Sequence, residues 1–423
     1  MLLTRPPAAA TLAAMKPPVW LLALGATLLA QSTSSFMGQC LPVVAPLLTA
    51  SAGLAPERIG NLSSLVSLGT IVFLAFGSPV LARLGPVGAL NAGAGFAVVG
   101  LAVAALGSWP ALVAGALLLG IGYGPTPPAG SRILQATAPK GHRSLIFSIK
   151  QAGAPLGGAL AGLVIAPAAA RFGWPTALLI AMAAGVVTAL AIRPLRRTLD
   201  AERDPARSLH PRAVFRLATL RAPFAAIGRA PGLLTLTALA FSFSVVQGAL
   251  FSFSVTYLTQ QGHALAAAGF AYACLQGAGV VARVALGWLA DRTGRPAANL
   301  TAQAYLAAAA IAAYGLLPAG APFALVVALA TAAGFFGASW NGIYLAEIAR
   351  LAPPDAVADA TSGSTMLTFL GYVLGPSAFA VAVPHLGWQV PFMLCGVQLA
   401  GMALVQTVLL LRRRGATGQD GVR

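Results

Sequence analysis

Two cationic side chains, Lys150 and Arg283, lie inside long apolar stretches of this 423-residue chain. A charge in the hydrocarbon region of a bilayer costs several kcal/mol, so such residues normally face a cavity or a partner. Lys150 lies about six residues from one end of a predicted helix and Arg283 about seven from an end of another, depths of roughly 9 Å. Either residue is a candidate ligand-binding group. The alternatives are that Lys150 extends its ammonium to the membrane surface and that Arg283 pairs with backbone carbonyls.

The composition indicates a membrane protein. Hydrophobic residues make up 58% of the chain and charged residues 8%, and the mean hydropathy is +0.83, whereas soluble domains carry about 25% charged residues. At about 20 apolar residues for each crossing, the chain accommodates about twelve spans. We predict an all-α multi-pass protein with transmembrane helices at 19–48, 60–82, 86–106, 110–134, 144–170, 174–194, 231–258, 264–290, 297–317, 321–347, 357–383 and 388–411.

One long polar stretch divides the chain into two halves. The predicted parts are an N-terminal segment at 1–18, six helices at 19–195, a basic connector at 196–230, six helices at 231–411 and a tail at 412–423. We expect the connector to be solvated near the anionic lipid surface. Ala138-Pro139 matches Ala352-Pro353, and Gly157 matches Gly371. An offset of roughly 214 residues between these matches favours a duplicated six-helix unit.

The formal net charge is +17, and the basic residues are distributed along the chain as in a membrane protein rather than a nucleic-acid-binding protein. Nine arginines lie between residues 193 and 229, and Arg412 to Arg414 follow the last apolar run, whereas the loops predicted on the other side hold only Arg58 and Arg171. The positive-inside rule therefore places both termini in the cytoplasm, with membrane lipid as the partner. Many arginines and alanines suggest a GC-rich bacterial genome, hence a bacterial inner membrane. No obligate protein partner is expected.

Other classes of site find little support in the sequence. Every acidic residue and histidine falls in a predicted loop or at a helix end, so a proton relay in mid-membrane has no evident carrier. We expect no metal and no cofactor. The glycine-rich fragment Gly120–Gly124 follows no strand, which argues against nucleotide binding. Cys40, Cys274 and Cys395 lie in apolar runs and are interpreted as packing residues. The apolar run 20–30 could instead be the core of a signal peptide.

A charged turn at 287–295 separates two apolar runs and reads Gly-x-x-x-Asp-Arg-x-Gly-Arg. This pattern resembles the loop signature between helices 8 and 9 of the major facilitator superfamily, the twelve-helix secondary transporters. A weaker copy, Ala82-Arg83-Leu84-Gly85, follows the second predicted span, with Ala82 where the acid is expected. The resemblance implies two six-helix bundles, transport by alternating access and no enzymatic activity.

In that superfamily helices 5 and 8 face each other, which implies that Lys150 and Arg283 share one cavity that attracts an anion. Arg283, within Gly279-x-x-x-Arg283-x-x-x-Gly287, also resembles the helix-8 arginine of monocarboxylate and oxalate/formate carriers, where a guanidinium binds a carboxylate through two parallel bonds. The substrate predicted for this chain is a small organic anion. The other predicted binding residues are polar or aromatic and lie on central helices: Gln31, Gln39, Tyr123, Gln151, Gln247, Trp340, Asn341 and Tyr344.

A second set of residues is expected to control the cytoplasmic gate. We expect Asp291 to lie near the N-terminus of the fifth helix and to pair with Arg350, and Glu347 and Arg350 to act as latch partners. The predicted gating residues are Arg83, Gly287, Asp291, Arg292, Gly294, Arg295, Glu347 and Arg350.

Two other functions compete with anion transport. The stretches 153–158 and Gly371-x-x-x-Gly375-Pro376 resemble degraded forms of the helix-5 glycine-proline motif of drug/proton antiporters. That resemblance implies export of apolar or cationic compounds, but the missing intramembrane carboxylate weakens it. A membrane-embedded receptor or enzyme is the third possibility, and no nucleophile–base pair supports it.

Overall fold

The computed structural model describes residues 18–139, 142–210, 221–230 and 232–419, and these residues form helices and no strands. The predicted N-terminal segment lies outside this part of the chain, except for Pro18. Within the described residues we number the long helical segments α1 to α12. Their bounds are Val19–Ser51, Pro56–Phe76, Pro86–Ala104, Trp109–Thr137, Leu145–Phe172, Trp174–Leu199, Leu233–Gln260, Leu265–Thr293, Pro296–Gly315, Phe323–Leu351, Val357–Leu386 and Gln389–Gln419.

Eleven of these described segments are long and apolar enough to cross a membrane, and α9 is the exception. Polar residues such as Asn299, Thr301 and Gln303 lower its hydropathy. The amide of Gln303 donates to the carbonyl of Phe336 at 2.8 Å and to the hydroxyl of Ser339 at 2.9 Å, and both of these residues belong to α10. Some of the polar groups of α9 therefore form hydrogen bonds inside the protein.

Several of the long helical segments are interrupted by a short stretch without regular α-helical structure. Gly124 and Pro125 form a turn within α4, and Ala338–Trp340 separate the two helical parts of α10. Within α5, a π-helical turn spans Ala161–Ile165, two residues before Pro167. Proline removes a helical N–H and glycine tolerates unusual backbone angles, so these breaks have local causes.

Helix packing repeats with an offset of six helices. In the first half α1 packs against α5, and α4 packs against α2 and α3. In the second half α7 packs against α11, and α10 packs against α8 and α9. The halves meet where α2 contacts α11, where α5 contacts α8 and where α1 contacts α7.

Matched glycines allow the closest helix approaches in both halves. A Cβ added at Gly120 on α4 would lie 1.9 Å from the carbonyl oxygen of Val66 on α2. A Cβ added at Gly334 on α10 would lie 1.9 Å from the carbonyl oxygen of Leu275 on α8. Because backbone atoms cannot yield to a new methyl group, both positions require glycine.

The connector is exposed at residues 201–210, as predicted for a solvated segment, but the residue before them is buried. The Asp200 carboxylate is 4% exposed and accepts bonds from the backbone N–H groups of Val87 at 2.7 Å and Gly88 at 2.9 Å. These N–H groups belong to the first turn of α3, where a carboxylate caps the helix favourably. A short helix at Arg221–Ile227 packs against α11. Residues 211–220 of the connector lie outside the described part.

Candidate functional site

A cavity of about 580 Å³ lies between the two halves of the protein. Eight of the numbered helices line it, namely α1, α2, α4, α5, α7, α8, α10 and α11, together with the short helix Ser78–Leu84. Ser78 and Ser362 are exposed and lie on its wall near the helix ends that carry Arg83 and Arg350. Towards the other ends α2 and α11 touch, and the Ser64 hydroxyl donates to the carbonyl of Val373 at 2.6 Å. The cavity is therefore accessible from the end of the molecule that carries Arg83.

All ten residues predicted to bind substrate lie on the wall of this one cavity. They are Gln31, Gln39, Tyr123, Lys150, Gln151, Gln247, Arg283, Trp340, Asn341 and Tyr344. Among the described residues that form the wall, Lys150 and Arg283 are the cations, and no aspartate, glutamate or histidine is present. The cavity is therefore cationic.

Arg283 is held by acceptors on two other helices. Its Nη1 donates to the carbonyl of Gln151 on α5 at 2.7 Å. Its Nη2 lies 3.3 Å from both the carbonyl of Ala338 and the Oδ1 of Asn341, at the break in α10. The Nε is buried and has no partner in the described part of the chain. Arg283 thus pairs with backbone carbonyls, as one alternative expected, and still lines the cavity.

Lys150 is buried at the cavity and does not extend to the membrane surface. The side chain is 2% exposed, and its Nζ donates to the Oε1 of Gln151 at 3.1 Å. A Cβ added at Gly130 on α4 would lie 2.7 Å from the Cε of Lys150, so this glycine makes room for the side chain. Gln151 therefore accepts one bond from each cation, through its side chain and its backbone.

Several uncharged wall residues also join helices to one another. Gln31 donates to the hydroxyl of Tyr123 at 2.8 Å, and the indole of Trp340 donates to the Oε1 of Gln247 at 2.8 Å. The predicted residue Gln39 accepts a bond from Tyr272 of α8 at 2.8 Å. These bonds hold the wall in a defined shape and leave other polar atoms, such as the Oε1 of Gln31, without a protein partner in the described residues.

α11 also contributes polar residues to the cavity, and none of them was predicted from the sequence. Tyr372 lines the cavity and donates to the Oε1 of Gln247 at 2.9 Å. Thr361, Thr365 and Thr368 lie on the same wall. Their spacing of four, three and four residues, ending at Tyr372, is the period of one helix face. That period was a signal in the sequence that a polar face of α11 points inward.

The comparisons with known proteins agree with this architecture. The family model described as Major Facilitator Superfamily matches residues 27–327 of the chain. The chain belongs to the major facilitator superfamily. It is a multi-pass membrane transporter and not an enzyme. The superfamily predicted from the charged turn is confirmed, whereas the monocarboxylate and oxalate/formate type stays a prediction.

Solved structures of superfamily transporters share the fold. A mutant of the peptide transporter POT in complex with sulfate aligns with a TM-score of 0.75 at 15% identity, over 93% of this chain and 95% of that chain. A bacterial homologue of the human lysosomal transporter Spinster, in an inward-facing and unoccupied conformation, aligns with a TM-score of 0.68 at 18% identity, over 93% of each chain. No curated protein matches this chain in sequence.

The superfamily loop signature forms the end of α8 and the turn after it. Gly294 adopts a left-handed conformation with φ of 63° and caps α8, which explains the glycine of the signature. The guanidinium of Arg292 lies 5.4 Å from the ring centroid of Trp288. Gly287 has open space beside it, and Arg295 precedes α9 as its N-cap. In the other copy, Arg83 donates to the carbonyl of Arg207 at 3.3 Å.

The expected pairing of Asp291 with Arg350 is wrong in this conformation. Arg350 donates instead to both carboxylate oxygens of Glu347, at 2.7 and 2.6 Å, and Asp291 is exposed and forms no ion pair with the described residues. Glu347 is also 2% exposed within its helix, so the expectation that every acid lies in a loop or at a helix end understated its burial. None of the predicted gating residues lines the cavity.

Proposed function

We propose that this transporter carries a small organic anion, a carboxylate, by alternating access between two six-helix bundles. The observation that carries the proposal is the pair of cations, Lys150 and Arg283, both bonded to Gln151 in a cavity whose described wall has no acidic residue. An ammonium and a guanidinium without a counter-charge attract an anion, and a guanidinium matches the geometry of a carboxylate. A volume of about 580 Å³ is in the range of small-molecule sites.

The architecture supports a twelve-helix arrangement with its basic end in the cytoplasm. α9 takes the twelfth place, because its polar residues bond to α10 and its packing repeats that of α3 in the first half. The helix ends that carry Arg83, Arg292 and Arg350 are the cytoplasmic side under the positive-inside rule. The cavity then opens to the cytoplasmic side of a bacterial inner membrane.

The interface between the halves supports rocking about the cavity. Ser64 on α2 bonds to the Val373 carbonyl and to the hydroxyl of Ser377 on α11, the second at 2.8 Å. These contacts close the outer side, whereas Ser362 on α11 and Ser78, two residues after the end of α2, are exposed at the inner side. Separating the outer contacts while the inner ends close would expose the cations to the outside. The predicted gating residues lie at the inner ends, where such closure would occur.

Coupling must proceed without a carboxylate or imidazole on the described wall of the cavity. Two mechanisms fit this arrangement: the substrate enters with its own proton, or one anion is exchanged for another. Both keep the net charge moved small, which lowers the electrical work of transport.

The proposal is tested by thermal stabilisation of the purified transporter against a panel of small carboxylates and a panel of lipophilic cations. A ligand at 100 times its Kd stabilises the native state by about 2.7 kcal/mol. We expect one or more carboxylates to raise the melting temperature and Arg283→Ala to abolish the effect. The control is Arg58→Ala, which removes an exposed arginine outside the cavity. Stabilisation by lipophilic cations alone would reject the proposal in favour of drug export.

Transport itself is measured in liposomes with the carboxylate that the panel identifies. We expect uptake of the labelled anion to be accelerated by the same anion on the opposite side or by an inward proton gradient. Uptake that Lys150→Met and Arg283→Ala both leave unchanged would contradict the assignment of the site.

A further inference from the structure

A proline inside α5 leaves one backbone carbonyl without its usual partner. In an α-helix the N–H of each residue donates to the carbonyl four residues earlier, and proline has no N–H. Pro155 lies inside the helix Arg143–Leu160. The carbonyl of Gln151 therefore receives no bond from position 155 and is free to accept one from another helix.

Arg283 uses this carbonyl. Its Nη1 lies 2.7 Å from the Gln151 oxygen, which makes this the shortest of its three protein bonds. The bond joins α5 of the first half to α8 of the second. The bonds from Nη2 to Ala338 and Asn341 fix the other side of the same group. A guanidinium is planar and has five N–H donors, so anchoring two nitrogens sets its plane and leaves donors for a ligand.

We propose that Pro155 is a positioning residue for the anion site. By freeing the Gln151 carbonyl it holds the guanidinium of Arg283 in place across the interface between α5 and α8. Pro155→Ala restores an N–H at this position. The Gln151 carbonyl then accepts a hydrogen bond within α5, and Arg283 loses part of its anchor. The role in anion binding rests on the proposed function, but the anchoring of Arg283 needs no ligand and is tested without one.

The first experiment is a double-mutant cycle on the melting temperature of the full-length protein in detergent without ligand. Arg283→Lys removes the planar group and is expected to lower the melting temperature. In the Pro155→Ala background we expect that decrease to be smaller by about half or more, because two mutations on one interaction are not additive. An equal decrease in both backgrounds, or no decrease in either, would overturn the proposal.

The matched control is Pro167→Ala, an exposed proline of the same helix that does not line the cavity. Its effect on the melting temperature should add to that of Arg283→Lys. Coupling of equal size for Pro167→Ala would show that any proline of α5 acts through helix bending, and the specific role of Pro155 would be lost.

The second experiment measures transport of the carboxylate found by the thermal panel. Because Pro155 acts on the orientation of a binding group, we expect Pro155→Ala to raise KM about tenfold and to change the maximal rate less than about twofold. An unchanged KM with a reduced rate would overturn the positioning role. If no carboxylate is bound or transported, the proposed function fails, and the double-mutant cycle still decides whether Pro155 anchors Arg283.

Discussion

Replacing Lys150 by methionine separates the stability of the empty transporter from its function. Lys150 is 2% exposed, has a single bond of 3.1 Å to Gln151, and faces no acidic residue on the described cavity wall. A buried charge without a counter-charge destabilises the fold, whereas methionine fills a similar volume without that cost. We expect Lys150→Met to stabilise the empty protein by about 1–3 kcal/mol and to remove anion binding.

The expected change is large enough to measure. For large domains 1 kcal/mol corresponds to about 2 °C, so the melting temperature in detergent should rise by about 2–6 °C. Tryptophan fluorescence during heating gives the midpoint, and the stabilising carboxylate is added to a second sample. The control is Arg58→Met, which replaces an exposed cation and should change neither the midpoint nor the ligand effect by a comparable amount.

A lower midpoint in Lys150→Met together with unchanged stabilisation by the carboxylate would refute this reasoning. That result would mean that the ammonium contributes to the fold and takes no part in binding. A higher midpoint with binding retained would refute only the functional half and would leave Arg283 as the single anion-binding cation.

Two further predictions concern helix packing and the ion pair between Arg350 and Glu347. Gly120→Ala should destabilise the protein by about 1–3 kcal/mol, because the added Cβ would meet the backbone of Val66. The control is Gly25→Ala, whose added Cβ would have no atom within 4 Å, and it should be neutral or slightly stabilising in the same melting assay. Arg350→Ala should cost about 1 kcal/mol, because the Arg350 side chain is 64% exposed and solvent screens the pair, although the Glu347 carboxylate is buried. Adding Glu347→Gln should recover most of that loss, and no recovery would show that the pair is not what stabilises this region.

Much of the helical layout could be predicted because apolar length is a local property of the sequence. The bounds of α7 and α8, for example, are Leu233–Gln260 and Leu265–Thr293, against predicted spans of 231–258 and 264–290. Hydropathy alone does not mark α9 as a membrane span, because its polar residues lower the mean. The partners of one of them, Gln303, lie on a helix that comes later in the chain.

The candidate site could be predicted where a polar residue stands out against an apolar helix. Lys150, Arg283 and Asn341 met that condition, and all three line the cavity. Tyr372 was not predicted, because it lies on α11, outside the helices expected to be central, and within the glycine-rich stretch 371–376. The pairing of Asp291 with Arg350 failed because opposite charges near one membrane face have several possible partners, and Glu347 lies one helical turn from Arg350.

Residue types and their spacing are sufficient to predict that this chain crosses a membrane, that its turn at 287–295 carries a superfamily signature, and that two cations lie in apolar surroundings. Each of these follows from residue types that are near one another in the chain. The contacts of the two cations, by contrast, follow from the packing of helices that are distant in the chain. Arg283 bonds to Gln151, 132 residues earlier, because α5 and α8 meet across the two halves and a proline has freed the carbonyl between them.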